Sequence, residues 1–186
     1  DACAKVVKCH PDQVLVASTG VIGVQLSIDL IVAALPELAD RVTDSAENFA
    51  NAILTTDLVP KTVSTTLELS QGTITITGIA KGSGMIHPNM ATMLGYILTD
   101  ADINAAAAHT FLKNAVDSSF NMISVDGDTS TNDCAFLLAN GSSKVTLATD
   151  ADKNLFQQTV TQMCQALAKA IARDGEGATK LLEINI

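Results

Sequence analysis

The sequence predicts an α+β domain of layered sheets and helices. Three observations carry this. Thr62 to Leu69 and Thr73 to Ile79 alternate apolar and polar residues around Gln71-Gly72, the pattern of a hairpin. A long segment from about Ala151 to Ala172 places Phe156, Val160, Met163, Leu167 and Ile171 on one helical face. Strand pairs interleave with helices without forming a regular βαβ series.

Taken in order, Gln13 to Ala17 is a short apolar run ending at Ser18-Thr19-Gly20, which reads as a buried strand stopping in a turn. Leu26, Ile28, Leu30, Ile31, Ala34 and Leu35 follow at helical spacing, and Pro36 is expected to interrupt or end that helix. Asp44-Ser45-Ala46-Glu47 resembles a helix start, with Phe49, Ala52 and Ile53 as its apolar face. After the hairpin, Thr92 to Thr99 reads as a buried strand rich in β-branched and aliphatic residues. Asn104 is placed to cap a helix running through Phe120, and Cys134 to Ala139 bounds a polar loop. Gly175 stops the long helix, and Leu181 to Ile186 is expected to close the chain as a strand. No linker or repeat separates these pieces, so residues 1–186 read as one domain.

Composition narrows the function classes. The 186 residues are 47% hydrophobic, enough for a real core and too apolar for a disordered chain. A formal charge of -9 with only 11 Lys and Arg argues against a nucleic-acid or anionic-membrane surface, since phosphate contacts need clustered cations. A small or cationic molecule is the expected partner. Cys3, Cys9, Cys134 and Cys164 form no CxxC pair, which indicates neither a zinc site nor a dense disulfide framework and fits a reduced, cytoplasmic setting. No apolar run reaches membrane-spanning length.

The segment Lys81 to Leu94, KGSGMIHPNMATML, leads through glycines and a Pro-Asn turn to Thr92. A threonine hydroxyl needs a base, and a threonine at a new N-terminus has one in its own α-amine, whose pKa is near ~8. Attack of the Thr92 hydroxyl on the Ala91 carbonyl, followed by hydrolysis of the ester, would create that terminus. Residue types alone leave a second reading open, a threonine in a buried strand. His87 is near in sequence, but its spacing fixes no geometry with Thr92.

That segment, with Ala17-Ser-Thr-Gly-Val-Ile-Gly23, Leu54-Thr-Thr-Asp57 followed by Pro60-Lys61, Asp128-Thr-Ser-Thr-Asn-Asp133 and Asp174-Gly-Glu-Gly-Ala178, resembles the bifunctional glutamate N-acetyltransferase/ornithine acetyltransferase family of arginine biosynthesis. Five motifs in the right order cover nearly the whole chain. The resemblance implies the fold of ornithine acetyltransferases and related aminopeptidases, with a self-processed N-terminal-nucleophile site. It implies cleavage at Ala91-Thr92 into portions 1–91 and 92–186 of two chains that stay associated, usually as an α2β2 assembly. It implies Thr92 as nucleophile, Thr19 and Gly20 as oxyanion hole, and Thr55, Lys81, Thr92 and Glu176 as substrate contacts. Thr55 is preferred to Thr56.

The implied reaction moves acetyl from N-acetylornithine to glutamate through acetyl-Thr92, with neither coenzyme nor metal. Some members also use acetyl-CoA, and that donor stays open. The chain reads as the central part of such a protein, beginning at Asp1 and lacking flanks that include an Asn and a Thr of the substrate site. The implied location is the cytoplasm, or the mitochondrion for a eukaryotic parent.

The alternatives are a self-processing aminopeptidase or amidase of the same fold, an inactive fragment, and a magnesium-dependent phosphatase using Asp126. The last rests on Asp126-Gly-Asp-Thr-Ser130 following the apolar Met122 to Val125. The same loop lacks the later glycine and terminal glutamate of a calcium loop. A bland reading also fits it, a turn whose Asp and Thr side chains satisfy backbone N–H groups.

Overall fold

The structure, a computed structural model, describes residues 1–42, 45–87 and 93–185. Where the sequence reads as one domain, the chain forms two compact units, Asp1–Asn48 and Phe49–Ile186. The expected cut at Ala91-Thr92 lies outside the described residues.

The first unit contains α1 (Ala2–Val7), a 3-10 turn at Pro11–Gln13 and α2 (Ile28–Asp40). It buries little: Ala4 is its one buried residue among those described. The strand expected over Gln13 to Ala17 does not form, because no partner strand takes its backbone and Leu15 and Val16 stand 57% and 76% exposed. Helix α2 runs through Pro36 to Asp40 instead of breaking there. The ring costs the helix the bond that would reach the Val32 carbonyl, and on a helix with no buried residue water can satisfy that carbonyl.

Helix α3 (Glu47–Ala52) leads into the second unit, and the Ser45 hydroxyl accepts the Glu47 N–H at 3.3 Å, as expected of a helix start. Four strands then form one sheet in chain order: β1 (Lys61–Leu69), β2 (Gly72–Lys81), β3 (Leu94–Thr99) and β4 (Cys134–Ala139). The first three run antiparallel, and β4 lies parallel to β3. The predicted hairpin is present, with Leu69 opposite Gly72. Alternation along β2 turns Ile74 and Ile76 toward the core and leaves Thr73 and Thr75 exposed.

Helices α4 (Ala105–Asp117) and α5 (Asp150–Arg173) build the core with this sheet. Asn104 caps α4 by accepting the Ala107 N–H at 2.9 Å, and the helix gives way to a 3-10 turn at Phe120–Met122. The five residues predicted to face inward from α5 are all buried and share one cluster with Ile74, Ile76 and Ile97. Leu181 to Ile186 does not form the predicted strand: residues 181–185 pair with no strand, and Leu182 is 85% exposed. No helix among the described residues is long and apolar enough to cross a membrane.

One carboxylate joins the hairpin to α5. Asp152 accepts the Ser70 N–H at 2.9 Å and the Ser70 hydroxyl at 2.6 Å, while closing a capping box with Thr149. These hydrogen bonds, led by that of the Ser70 hydroxyl, hold its pKa well below the usual carboxylate range. A depressed folded-state pKa contributes stability above the unfolded pKa, near ~4, and that contribution is lost as pH falls. Asp152→Asn should therefore lower the urea midpoint at about pH 7, and the difference from wild type should shrink toward about pH 3; paired unfolding curves at the two pH values check this.

Candidate functional site

The strand pairings gather charged residues at one end of the sheet. Lys61 opens β1 opposite Ala80, Lys81 ends β2 opposite Leu94, and Leu94 pairs with Cys134 at the start of β4. Lys81, Leu94 and Cys134 thus form one cross-strand row, with Met93 and Asp133 each one residue before it.

Lys61 is the hub. Its side chain is 1% exposed and its Nζ lies 2.6 Å from Asp57 Oδ1, 2.7 Å from Asp174 Oδ2 and 3.3 Å from the Val59 carbonyl. An ammonium has three protons, so this set saturates it. Each acid in turn binds backbone. Asp57 accepts the Gly82 N–H at 2.7 Å and the Thr55 N–H at 3.3 Å, and Asp174 accepts the Leu58 N–H at 3.0 Å. Burial works against the Asp57 anion, but the hydrogen bonds from Lys61, Gly82 and Thr55 outweigh it and keep its pKa low.

The glycine stretch is clamped from two sides. On one, the Ser83 hydroxyl donates to the Asp174 carbonyl at 2.7 Å and the Ser83 carbonyl accepts the Glu176 N–H at 2.7 Å. Glu176 Oε2 lies so close to Gly84 that a Cβ there would sit 2.6 Å from it. On the other, Asp126 accepts the N–H groups of Met85 at 2.5 Å, Ile86 at 2.9 Å and Asp128 at 3.1 Å. Met85 takes a left-handed φ of 59° within this clamp. Burial opposes ionisation of Asp126, yet these backbone donors hold its pKa down. Asp126 is therefore a loop anchor, the bland reading of the acidic loop. His87 Nδ1 lies 3.2 Å from Ser124 Oγ.

Lys81 differs from Lys61. It is 1% exposed, and its one polar contact among the described residues is Thr55 Oγ1 at 3.4 Å. Burial pulls its pKa down; Asp57 and Asp133 oppose that shift and the Lys61 charge adds to it. Asp133 Oδ1 accepts the Met93 N–H at 2.8 Å, and burial pushes this carboxyl up to about 6 although Met93 and Lys81 favour the anion.

Of the residues singled out from sequence, the structure brings Thr55 and Lys81 together and sets Glu176 against the glycine stretch. Thr56 is exposed. Thr19, half-buried, and Gly20, exposed, belong to the first unit; they lie in irregular chain and not at the strand end expected for them. Ala91 and Thr92 lie outside the described residues. In the sequence Asp57, Lys61, Asp133 and Asp174 stand out only as letters of motifs; the signal for the first pair is an acid four residues before a lysine at a strand start. A hollow of about 570 Å³ beside the C-terminal half of α5, lined by Gln165, Lys169 and Leu182, includes none of these residues.

Replacing Lys61 with Met should leave Asp57 and Asp174 as unpaired buried anions and cost about 3–5 kcal/mol in urea unfolding. A loss below about 1 kcal/mol would show that the hub is not buried as described.

Residues 1–186 match the ArgJ family description throughout. A Synechococcus protein named arginine biosynthesis bifunctional protein ArgJ is 50% identical over 98% of this chain and 45% of its own length. The Lactococcus lactis protein of the same name is 48% identical over 94% of this chain and 44% of its own. A crystal structure of the Bacillus halodurans protein of that name is 44% identical, covering 48% of this chain and 43% of that one with a TM-score of 0.45. The chain spans about half the length of the curated relatives it matches. With the family description matched from the first residue to the last, the chain belongs to the ArgJ family.

Proposed function

We propose that the protein containing this chain transfers acetyl from N-acetylornithine to glutamate through an acetyl-threonine at Thr92, after cutting itself at Ala91-Thr92. The Thr92 hydroxyl attacks the Ala91 carbonyl, water hydrolyses the resulting ester, and the freed α-amine becomes the base for the same hydroxyl. The activated hydroxyl then attacks the acetyl carbonyl of N-acetylornithine. The Thr19 hydroxyl and Gly20 N–H receive the charge on the tetrahedral oxygen, and ornithine leaves with the proton. Glutamate reverses these steps through its own amine, takes the acetyl group and restores free Thr92. The threonine ester is the only acetyl carrier required, so the cycle uses no coenzyme or metal.

The observation that carries this reading is Lys81. Within the described residues it is a buried ammonium with a hydroxyl at 3.4 Å and no carboxylate in ion-pair contact. A substrate carboxylate meets that need, and Thr55 is a second hydrogen-bonding group beside it. Glu176, against Gly84 in the same glycine stretch, takes the substrate amino group. Family membership supplies the rest: the names of the relatives place them in arginine biosynthesis as bifunctional proteins. In this reading portions 1–91 and 92–186 stay together after cleavage, two pairs to an assembly, in the cytoplasm. Acetyl-CoA is an additional donor in the version that also begins the pathway by acetylating glutamate.

Three outcomes test the proposal in the full-length protein. Incubation with N-acetylornithine and no glutamate should leave an acetyl group on a peptide beginning at Thr92, read by intact and peptide mass. Thr92→Ala should abolish both the cut and the label; an unlabelled wild-type Thr92 under these conditions overturns the reading, and amide hydrolysis without transfer to glutamate would favour an aminopeptidase. Lys81→Met should raise KM for glutamate by about tenfold or more, the worth of a charge-assisted hydrogen bond, as measured by steady-state kinetics.

A further inference from the structure

Two glycines of the stretch that follows Lys81 are there for different reasons. Gly82 has a φ of 155°, in the region that favours glycine. The φ of Gly84 is not positive, so its backbone admits alanine, and what excludes a side chain there is space. The three atoms that a Cβ at Gly84 would meet first all belong to Glu176: Oε2 at 2.6 Å, Cβ at 3.6 Å and Cδ at 3.7 Å. The Glu176 carboxylate thus occupies the place that a side chain at position 84 would take. Its backbone is pinned to the preceding residue, Ser83, whose carbonyl accepts the Glu176 N–H at 2.7 Å and whose buried hydroxyl donates to the Asp174 carbonyl at 2.7 Å. The turn that carries Glu176 is shaped to reach this spot. Gly175 lies so close to Val125 that a Cβ would sit 2.9 Å from its Cγ1, and Gly177 takes a left-handed φ of 73°. Glu176 is nevertheless exposed, so an acid fixed at both ends remains open to a cation from solvent.

We propose that Ser83 and Gly84 are positioning residues that fix the Glu176 carboxylate as the receptor for the side-chain ammonium of the acetyl donor, and so set the preference of the site for a donor with a cation at that end. This rests on the reading of Glu176 as the group that takes the substrate amino group. In N-acetylornithine the amine next to the carboxylate carries the acetyl group, so the one free amino group is at the far end of the side chain. Glutamate has a carboxylate at that end, and its amine is spent on attack at the threonine ester. Only the donor gains from Glu176. An acid that swung freely would lose part of that gain to the entropy of ordering it, and a seat on the backbone removes the loss. The seat lies on the stretch that begins with Lys81, so the receptors for the two ends of the donor share one backbone segment.

The test uses the full-length protein and its ping-pong kinetics, in which kcat/KM for the donor reports the first half of the cycle and kcat/KM for glutamate the second. In Gly84→Ala the new Cβ displaces the end of a flexible side chain, and the Glu176 carboxylate leaves its seat. The value for N-acetylornithine should fall about tenfold, the worth of a charge-assisted hydrogen bond, while that for glutamate holds or rises. A merely structural role would lower both together. In a Glu176→Gln background, Gly84→Ala should add no further loss for the donor, because its target is already gone. Unchanged donor kinetics, equal losses for the two substrates, or full additivity of the two substitutions overturns the proposal. If Gly84→Ala fails to fold, Ser83→Ala decides. Freeing the turn from the stretch should lower the donor value by itself, and an unchanged or evenly lowered pair of values overturns the proposal. Failure of the acetyl-transfer reading is a different result, a wild-type Thr92 that N-acetylornithine leaves unlabelled, and it removes the donor and this proposal with it.

Discussion

A single buried ammonium organises the site. Lys61 joins Asp57 in the connection before β1 to Asp174 just after α5, residues that lie on either side of it at separations of 4 and 113 in sequence. Burying three charges is expensive, and the arrangement persists because every proton of the ammonium has an acceptor and both acids also bind backbone N–H groups. The reward is geometric. Thr55 is held through Asp57, the glycine stretch through the Gly82 N–H, and Glu176 through the turn that begins at Asp174. Three segments that share no secondary structure are thereby fixed to the end of one sheet.

The contrast between the two buried lysines separates architecture from chemistry. Lys61 is saturated, and Lys81, in the next strand, has one hydroxyl contact among the described residues. The chain has a formal charge of -9, yet here it encloses two cations. Lys61 is matched there by Asp57 and Asp174, so the cation without a carboxylate in ion-pair contact among the described residues is Lys81. The same distinction among the carboxylates sets Asp126, engaged by three backbone donors, apart from Asp133, with one.

Much of this was readable from the sequence where the information is local. The hairpin, the Asn104 cap and the inward face of α5 follow from alternation, capping chemistry and helical periodicity, and all three are present. The two terminal strands failed for one reason: an apolar run near residue 15 or 183 says nothing about whether a partner edge exists. Pro36 failed because a helix break depends on whether the orphaned carbonyl is buried. At the site, the motifs identified Thr55, Lys81 and Glu176 as residues worth attention. They did not reveal the ion network, because an acid in a loop looks solvated until the fold brings it to a lysine more than a hundred residues away. Asp133 is equally opaque, since nothing in Asn-Asp-Cys shows that one oxygen is buried without a donor among the described residues.

The parallel pairing of β3 and β4 bears on the order in which these parts come together. The β1–β2 hairpin turns over two residues and its pairs are local, whereas β4 reaches its place beside β3 only after the chain has crossed over through α4. Closing that longer loop is the slower event. Asp133 arrives with β4 and Asp174 only after α5, so both acids reach this end of the sheet from segments that follow the hairpin in the chain.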